Sequence, residues 1–250
     1  QCVFAGGTES MSSVPVYFSR ELQEILFQLG RAKNFLAKFK ILTKFRPQYL
    51  SPRIGLEMGL TDMTCGLNMG ETAEVLAKEF GITRQEQDEF ALRSHQRAVQ
   101  AKDVLKEEIM TIVPGTKFNV TVDADNGPRE NQSLEALANL RPYFDKYTGT
   151  VTAGNASQLT DGAALLIVMS EKRAKELGLT PLGYLKAFAF AGVEPQRMGI
   201  GPAHAIPRVL RKAGMTLKDV QAVEINEAFA AQVIACLRAL ESESFAKEFH

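Results

Sequence analysis

Asn226 and Glu227 are the residues with the sharpest chemical implication, in the stretch VEINEAFAAQ (residues 223–232), where an apolar run meets a run of small residues. A carboxamide there has two uses. It can cap a helix, accepting from exposed backbone N–H groups while Phe229, Val233, Leu237 and Leu240 form that helix's buried stripe. It can also present a hydrogen bond to a substrate or a catalytic water. A second candidate is GTVTAGNASQLTDGA, residues 149–163, rich in small and polar side chains and running straight into an apolar segment. Such a loop lets backbone N–H and C=O groups approach a ligand closely.

Other chemistries find little support. Cys2, Cys65 and Cys236 are an odd, widely spaced set without a CxxC pair, which reads as reduced intracellular thiols. His95, His204 and His250 lie neither beside a cysteine nor in an HExxH arrangement, so no metal is expected. Lysine plus arginine (29) equals aspartate plus glutamate (29), which gives no electrostatic case for a nucleic-acid partner. No stretch approaches a membrane span.

The elements that must position these residues are readable in outline. The chain opens on QCVFAGG, a short strand expected to end at Gly6-Gly7, with no start Met or leader pattern. This suggests a piece of something longer, as does the far end, ALESESFAKEFH. Between Tyr17 and Arg53, eight basic residues face two acidic ones, and apolar residues recur at helical spacing. One or two amphipathic helices, broken near Gly30 and ended by Pro47 and Pro52, are expected. Thr83-Arg84-Gln85-Glu86 is a capping box starting a helix to about Lys102.

KFNVTV, with Phe118, Val120 and Val122 alternating, reads as a half-buried strand before the loop DADNGPRENQ. AALLIVMS reads as a strand, EKRAKELG as a helix stopped by Gly178, and LGYLKAFAFAGV as another strand. Gly201-Pro202 opens a helix ending at Gly214, and VQAVEI is a strand feeding a helix that begins near Asn226. Strands alternating with helices predict an α/β protein with a mainly parallel or mixed sheet.

VFAGGTESMS, NMGETAEVLA, DNGPRENQSLEALANLRPYFD, GTVTAGNASQLTDGAALLIVMSE, GIGPAHAIPRVLRKAG and INEAFAAQ occur here in the order found in thiolases, and the resemblance spans essentially the whole chain. It implies a thiolase-like α/β fold: two similar halves of mixed five-stranded sheets covered by helices, with a loop domain inserted in the first. On that map residues 1–10 and 160–181 belong to the N-terminal half, 11–159 form the loop domain with its basic helices, and 182–250 begin the C-terminal half.

The basic segment and DNGPREN look most like thiolase subunits of fatty-acid β-oxidation complexes. Those subunits usually carry His-Glu-Ala-Phe where this chain has Asn226-Glu227-Ala228-Phe229, the form typical of other thiolases.

The resemblance also implies the chemistry: acyl transfer between a 3-ketoacyl-CoA plus CoA and two acyl-CoA molecules, through an acyl-enzyme on a cysteine thiolate. Coenzyme A is substrate, with no permanently bound cofactor. Asn226 takes the part of the asparagine that holds an oxyanion-hole water. Met69 matches a position beside the pantetheine and thioester, Arg129 one that contacts the nucleotide end of CoA, Ala153 and Ser157 pantetheine contacts, and Phe229 a pocket wall. Each has a plainer reading as core packing or a solvated loop residue.

The family's nucleophilic cysteine, its GHP histidine and its second cysteine match nothing in this sequence. Cys2 is expected in the core, Cys65 and Cys236 are expected to be structural, and the chain as it stands is not expected to turn over. Further implications are a homodimer or larger assembly and a β-oxidation partner subunit or anionic membrane surface met by residues 18–46. The compartment would be the cytoplasm of a bacterium or the mitochondrial matrix of a eukaryote. The rivals are a non-catalytic thiolase-like protein that binds acyl-CoA or lipid, and a scaffold subunit whose basic helices organise a complex.

Overall fold

The computed structural model describes residues 2–115 and 120–249. In chain order it contains β1 (Cys2–Glu9), β2 (Val16–Tyr17), α1 (Arg20–Arg31), α2 (Phe35–Leu42), β3 (Arg53–Ile54), α3 (Gly55–Gly59), α4 (Met69–Glu79), α5 (Arg84–Gln100), α6 (Lys102–Leu105) and α7 (Leu134–Ala138). Then follow β4 (Gly162–Met169), α8 (Glu171–Glu176), α9 (Gly201–Ala213), α10 (Ala230–Glu241) and α11 (Glu243–Phe249). The chain divides into two compact units, one of Gln1–Asn68 with Leu159–Leu182 and one of Met69–Gln158 with Gly183–His250.

In the first unit β1 and β4 pair antiparallel from Cys2 opposite Met169 to Glu9 opposite Gly162. The strand expected to stop at Gly6-Gly7 continues through both. Gly6 lies so close to the Ala164 carbonyl that a side chain there would collide with β4 backbone, so this glycine serves close approach rather than a turn. Cys2, expected in the core, is exposed, because the faces of this two-stranded ribbon are open to solvent around it.

Ser19 caps α1 by accepting from Leu22 N–H, and Asn34 caps α2 by accepting from Ala37 N–H. The break between the basic helices therefore falls just before Asn34. Gly30 stays inside α1, since a strong cap sets the boundary more firmly than a single glycine does. Leu22 and Ile25 are buried, but α2 buries nothing and leaves Phe35, Leu36, Phe39 and Leu42 exposed.

The second unit holds the main core. Ala73, Leu76 and Ala77 of α4 meet Ala231, Ala235, Cys236 and Ala239 of α10, with Val151, Ile200 and Ala203 closing the cluster. The small residues let α10 approach closely. At Gly199 an added Cβ would lie 2.7 Å from the Gln232 side chain and 2.9 Å from Leu76. α5 begins with the expected capping box on Thr83 and Glu86, and α9 ends on Gly214 at φ +67°.

Two expected strands differ, and a third falls partly outside the described residues. Phe118 lies outside the described residues, and Val122 forms only an isolated bridge to Ile112. LGYLKAFAFAGV and VQAVEI carry no strand ladder among the described residues, where all strand pairing is antiparallel. An apolar pattern marks a strand's face but cannot supply the neighbour whose backbone completes it. No helix among the described residues is long and apolar enough to cross a membrane.

Candidate functional site

The glycine-rich loop is held from below by α4 and α5. Glu74, almost fully buried on α4, accepts from Thr150 N–H and Val151 N–H at 2.8 Å each and from the Thr150 hydroxyl at 3.2 Å. From α5, Gln87 Nε2 donates to Thr150 Oγ1 at 2.8 Å, and Asp88 accepts from Asn155 Nδ2 at 2.9 Å. Asn155 Oδ1 then accepts from Thr152 N–H at 2.8 Å, which folds the loop back on itself. Arg84 completes the support, donating to Asp88 at 2.8 Å and to the carbonyls of Leu137 and Leu140. A loop of small residues needs such anchoring, because it has little side-chain packing of its own.

The Asn226 segment is sewn to this loop. Ser157 N–H donates to the Ala228 carbonyl and Ala230 N–H to the Asn155 carbonyl, both at 2.9 Å, around a bridge between Ala156 and Phe229. These bonds explain why the helix does not begin near Asn226. They hold the following residues in bridge geometry, so α10 starts at Ala230 with Phe229 in the cap position, and Asn226 is not its cap. Asn226 is exposed, and its neighbour Glu227 accepts from the Ser94 hydroxyl of α5.

An aromatic wall stands beside this junction. Phe229 and Phe144 meet edge to face with ring centroids 6.0 Å apart, and Phe144 meets Tyr143 at 5.0 Å. Gly70 lies directly under the Phe144 ring, with no room for a Cβ. Met69, half-buried, is the first residue of α4, and its carbonyl accepts from the Thr72 hydroxyl at 2.7 Å. Met69 and Phe229 are thus linked through Gly70 and Phe144.

Arg129 arrives on the loop after Asp125. Its backbone N–H donates to Nδ1 of His95 on α5 at 3.2 Å, and Gln158 Nε2 donates to the Gly127 carbonyl at 2.9 Å. The second bond ties the Arg129 loop to the residue following Ser157. Ser157, Arg129 and Ala153 are exposed, with Ala153 at the turn where Gly154 N–H donates to Thr152 Oγ1 at 3.1 Å.

The residue patterns singled out neither Phe144 nor the Ser94–His95 pair. Phe144 had a signal in the resemblance stretch ending RPYFD. The pair had none beyond being two polar residues together on a predicted helix. Burial and the nearby Arg129 guanidinium hold His95 below its ordinary value of 6.5, against the opposing pull of Glu227.

None of the three cysteines takes part in the hydrogen bonds just described. Cys236 is buried on α10, donates to the Gly199 carbonyl at 3.2 Å, and is pushed up from its ordinary thiol value by burial. It is built as a packing residue and not as a thiolate nucleophile. Among the described residues no group of three or more His, Cys, Asp and Glu could hold a metal ion.

This mixed helix and strand fold agrees with that of the relatives the chain resembles. The thiolase N-terminal domain matches residues 1–172 and the thiolase C-terminal domain matches residues 179–247. The chain belongs to the thiolase family. It is 45% identical over 247 residues to a 3-ketoacyl-CoA thiolase of Pectobacterium carotovorum, covering 97% of this chain and 55% of that protein.

Among solved structures, a Bacillus anthracis acetyl-CoA acetyltransferase superposes with a TM-score of 0.80 at 39% identity, over 97% of this chain and 57% of that one. A human mitochondrial 3-ketoacyl-CoA thiolase in complex with CoA gives 0.78 at 37%, over 97% and 56%. The fold is thus thiolase-like, and the chain spans about half the length of the relatives it matches.

Proposed function

We propose that the chain carries the coenzyme A-facing part of a thiolase-type acyltransferase that interconverts 3-ketoacyl-CoA plus CoA with acyl-CoA plus acetyl-CoA, as in fatty-acid β-oxidation. The observation that carries this reading is the pair of 2.9 Å backbone bonds joining the loop of Ser157 to the segment of Asn226. They support the reading by joining the small-residue loop to the backbone two and four residues after Asn226.

In this reading Phe229 and Met69 line the apolar path of the pantetheine and acyl chain, where a flexible thioether and a ring edge suit a varied apolar ligand. Ala153 and Ser157 offer backbone and hydroxyl groups to the pantetheine amides. Arg129, exposed on an anchored loop, meets the phosphates or adenine at the nucleotide end. Asn226 orients the water that stabilises negative charge on the thioester oxygen. Coenzyme A is the substrate, and the nucleophilic thiolate comes from outside the site described, since Cys236 is packed and its thiol form favoured.

The domain reading follows the same map, with residues 1–10 and 160–181 in the N-terminal half, 11–159 in the loop domain and 182–250 in the C-terminal half. The whole protein would work as a dimer or larger assembly. Its basic helices would be available to a β-oxidation partner subunit or an anionic membrane. Its compartment would be the bacterial cytoplasm or the mitochondrial matrix.

Titration calorimetry of the chain with CoA tests the central claim. Binding that weakens about tenfold in Arg129→Ala, the scale of a lost charge-assisted contact, supports it. An Arg129→Ala chain that binds CoA as well as the unaltered one removes Arg129 from the site, and no binding by the unaltered chain sinks the reading.

A further inference from the structure

The loop Gly127-Pro128-Arg129 is pinned at both ends and stiff between them. Gln158 Nε2 donates to the Gly127 carbonyl at 2.9 Å, and the end of the Gln158 side chain lies against Gly127. Pro128 fixes its own φ. At the far end the Arg129 N–H donates to His95 Nδ1 at 3.2 Å. Of the two tethers only the second contains a group that titrates near neutral pH.

We infer that His95 is the positioning residue of the Arg129 loop, holding it only while its imidazole is neutral. An Nδ1 that accepts a hydrogen bond carries no proton, so the ring's one N–H is at Nε2. Adding a proton turns Nδ1 into a donor facing the Arg129 N–H donor, and the tether is lost. The charged groups acting on the ring are the Arg129 guanidinium, which opposes the proton, and the Glu227 carboxylate, which favours it. Glu227 is itself held by Ser94, the residue before His95 on α5. One turn of helix therefore supports both the Arg129 loop and the Asn226 segment.

The consequence is a ligand contact that is preorganised at neutral pH and slackens in mild acid. For binding, this rests on the reading of Arg129 as a contact to the nucleotide end of coenzyme A; the tether itself does not.

The test is an amide NMR titration of the 250-residue chain, with His95→Asn as the conservative variant, whose carboxamide oxygen keeps an acceptor close to the place of Nδ1. The Arg129 amide resonance is expected to move with the His95 ring on a common curve, with a midpoint below 6.5, and to stay fixed in His95→Asn. An Arg129 amide that ignores the titration of His95, or that moves equally in the variant, overturns the inference.

Between about pH 7.5 and about pH 5.5, CoA affinity is expected to fall about fivefold more in the unaltered chain than in His95→Asn, the variant registering the ligand's own titration. Equal losses in the two proteins would overturn the link between tether and binding. If Arg129→Ala binds CoA normally while the amide titration behaves as expected, the coenzyme A reading of Arg129 fails and the tether stands.

Discussion

At the scale of single residues, Glu74 is the group on which the candidate site leans most. Its carboxylate is nearly inaccessible to water and accepts two loop N–H groups and a hydroxyl, so its removal would leave both N–H groups unpaired and the hydroxyl with Gln87 alone. Glu74→Ala is expected to cost about 3 kcal/mol in unfolding stability, measured by urea denaturation. A cost near zero would mean that the loop finds other partners. His95 supplies the pH dependence. Its folded value lies below the ordinary 6.5, so the folded state favours the neutral ring. The stability it contributes is complete above 6.5 and is lost as pH falls from there towards the lower folded value. The unaltered chain should therefore lose stability relative to His95→Asn as pH is lowered from about 7 to about 5, as differential denaturation would register. A constant difference across that range would show that the ring does not titrate in the fold as the geometry requires. The cysteines offer a separate check: a thiol-reactive dye should modify exposed Cys2 readily and Cys236 only on unfolding, because Cys236 is buried and its thiolate disfavoured.

At the scale of elements, the packing of α4 against the aromatic wall decides whether Met69 and Phe229 can share a site. Gly70 sits under the Phe144 ring without space for a methyl group. Gly70→Ala should push Phe144, and with it Phe229, out of position, costing about 1–3 kcal/mol and lowering CoA affinity. Retention of both stability and affinity would show that the wall yields freely. What could be read of these elements in the sequence follows from how local their causes are. The capping box at Thr83, the helix from Gly201 to the left-handed Gly214 and the strand before Ser170 are each specified by a few adjacent residues, and each forms. The start of α10 was misread because its cause is remote. The residues after Asn226 are claimed by a loop some seventy positions earlier, and no cap rule contains that information. The candidate site residues are proposed from the order of the family motifs, whereas the Ser94–Glu227 and His95–Arg129 contacts, which depend on how α5 packs, could not be read from the sequence.

At the scale of the whole molecule, apolar side chains remain uncovered in separate places. Val3 and Phe4 of β1 and Leu165, Leu166 and Ile167 of β4 are exposed on the ribbon, Leu182, Leu185 and Phe190 on the segment beyond it, and Phe35, Leu36 and Phe39 on α2. A soluble monomer rarely leaves so much apolar surface uncovered, and the backbone edges of a two-stranded ribbon add unpaired hydrogen-bonding groups. This pattern could not be read from the sequence, because periodicity identifies an apolar face without saying what covers it. The chain carries no net charge to oppose association at neutral pH. Self-association is therefore expected, and its salt dependence reports which surface drives it. Apolar contact through the ribbon should persist or strengthen as salt is raised, whereas contacts made by the basic flank of α1 and α2 should weaken over a Debye length that shrinks from about 10 Å at 0.1 M to about 3 Å at 1 M. Sedimentation velocity at the two salt concentrations separates these cases. Persistent association at high salt, abolished by Phe4→Glu with Ile167→Lys, would assign it to the ribbon. A monomer at every concentration and salt would mean that these apolar faces are covered in solution by rearrangement of the chain itself.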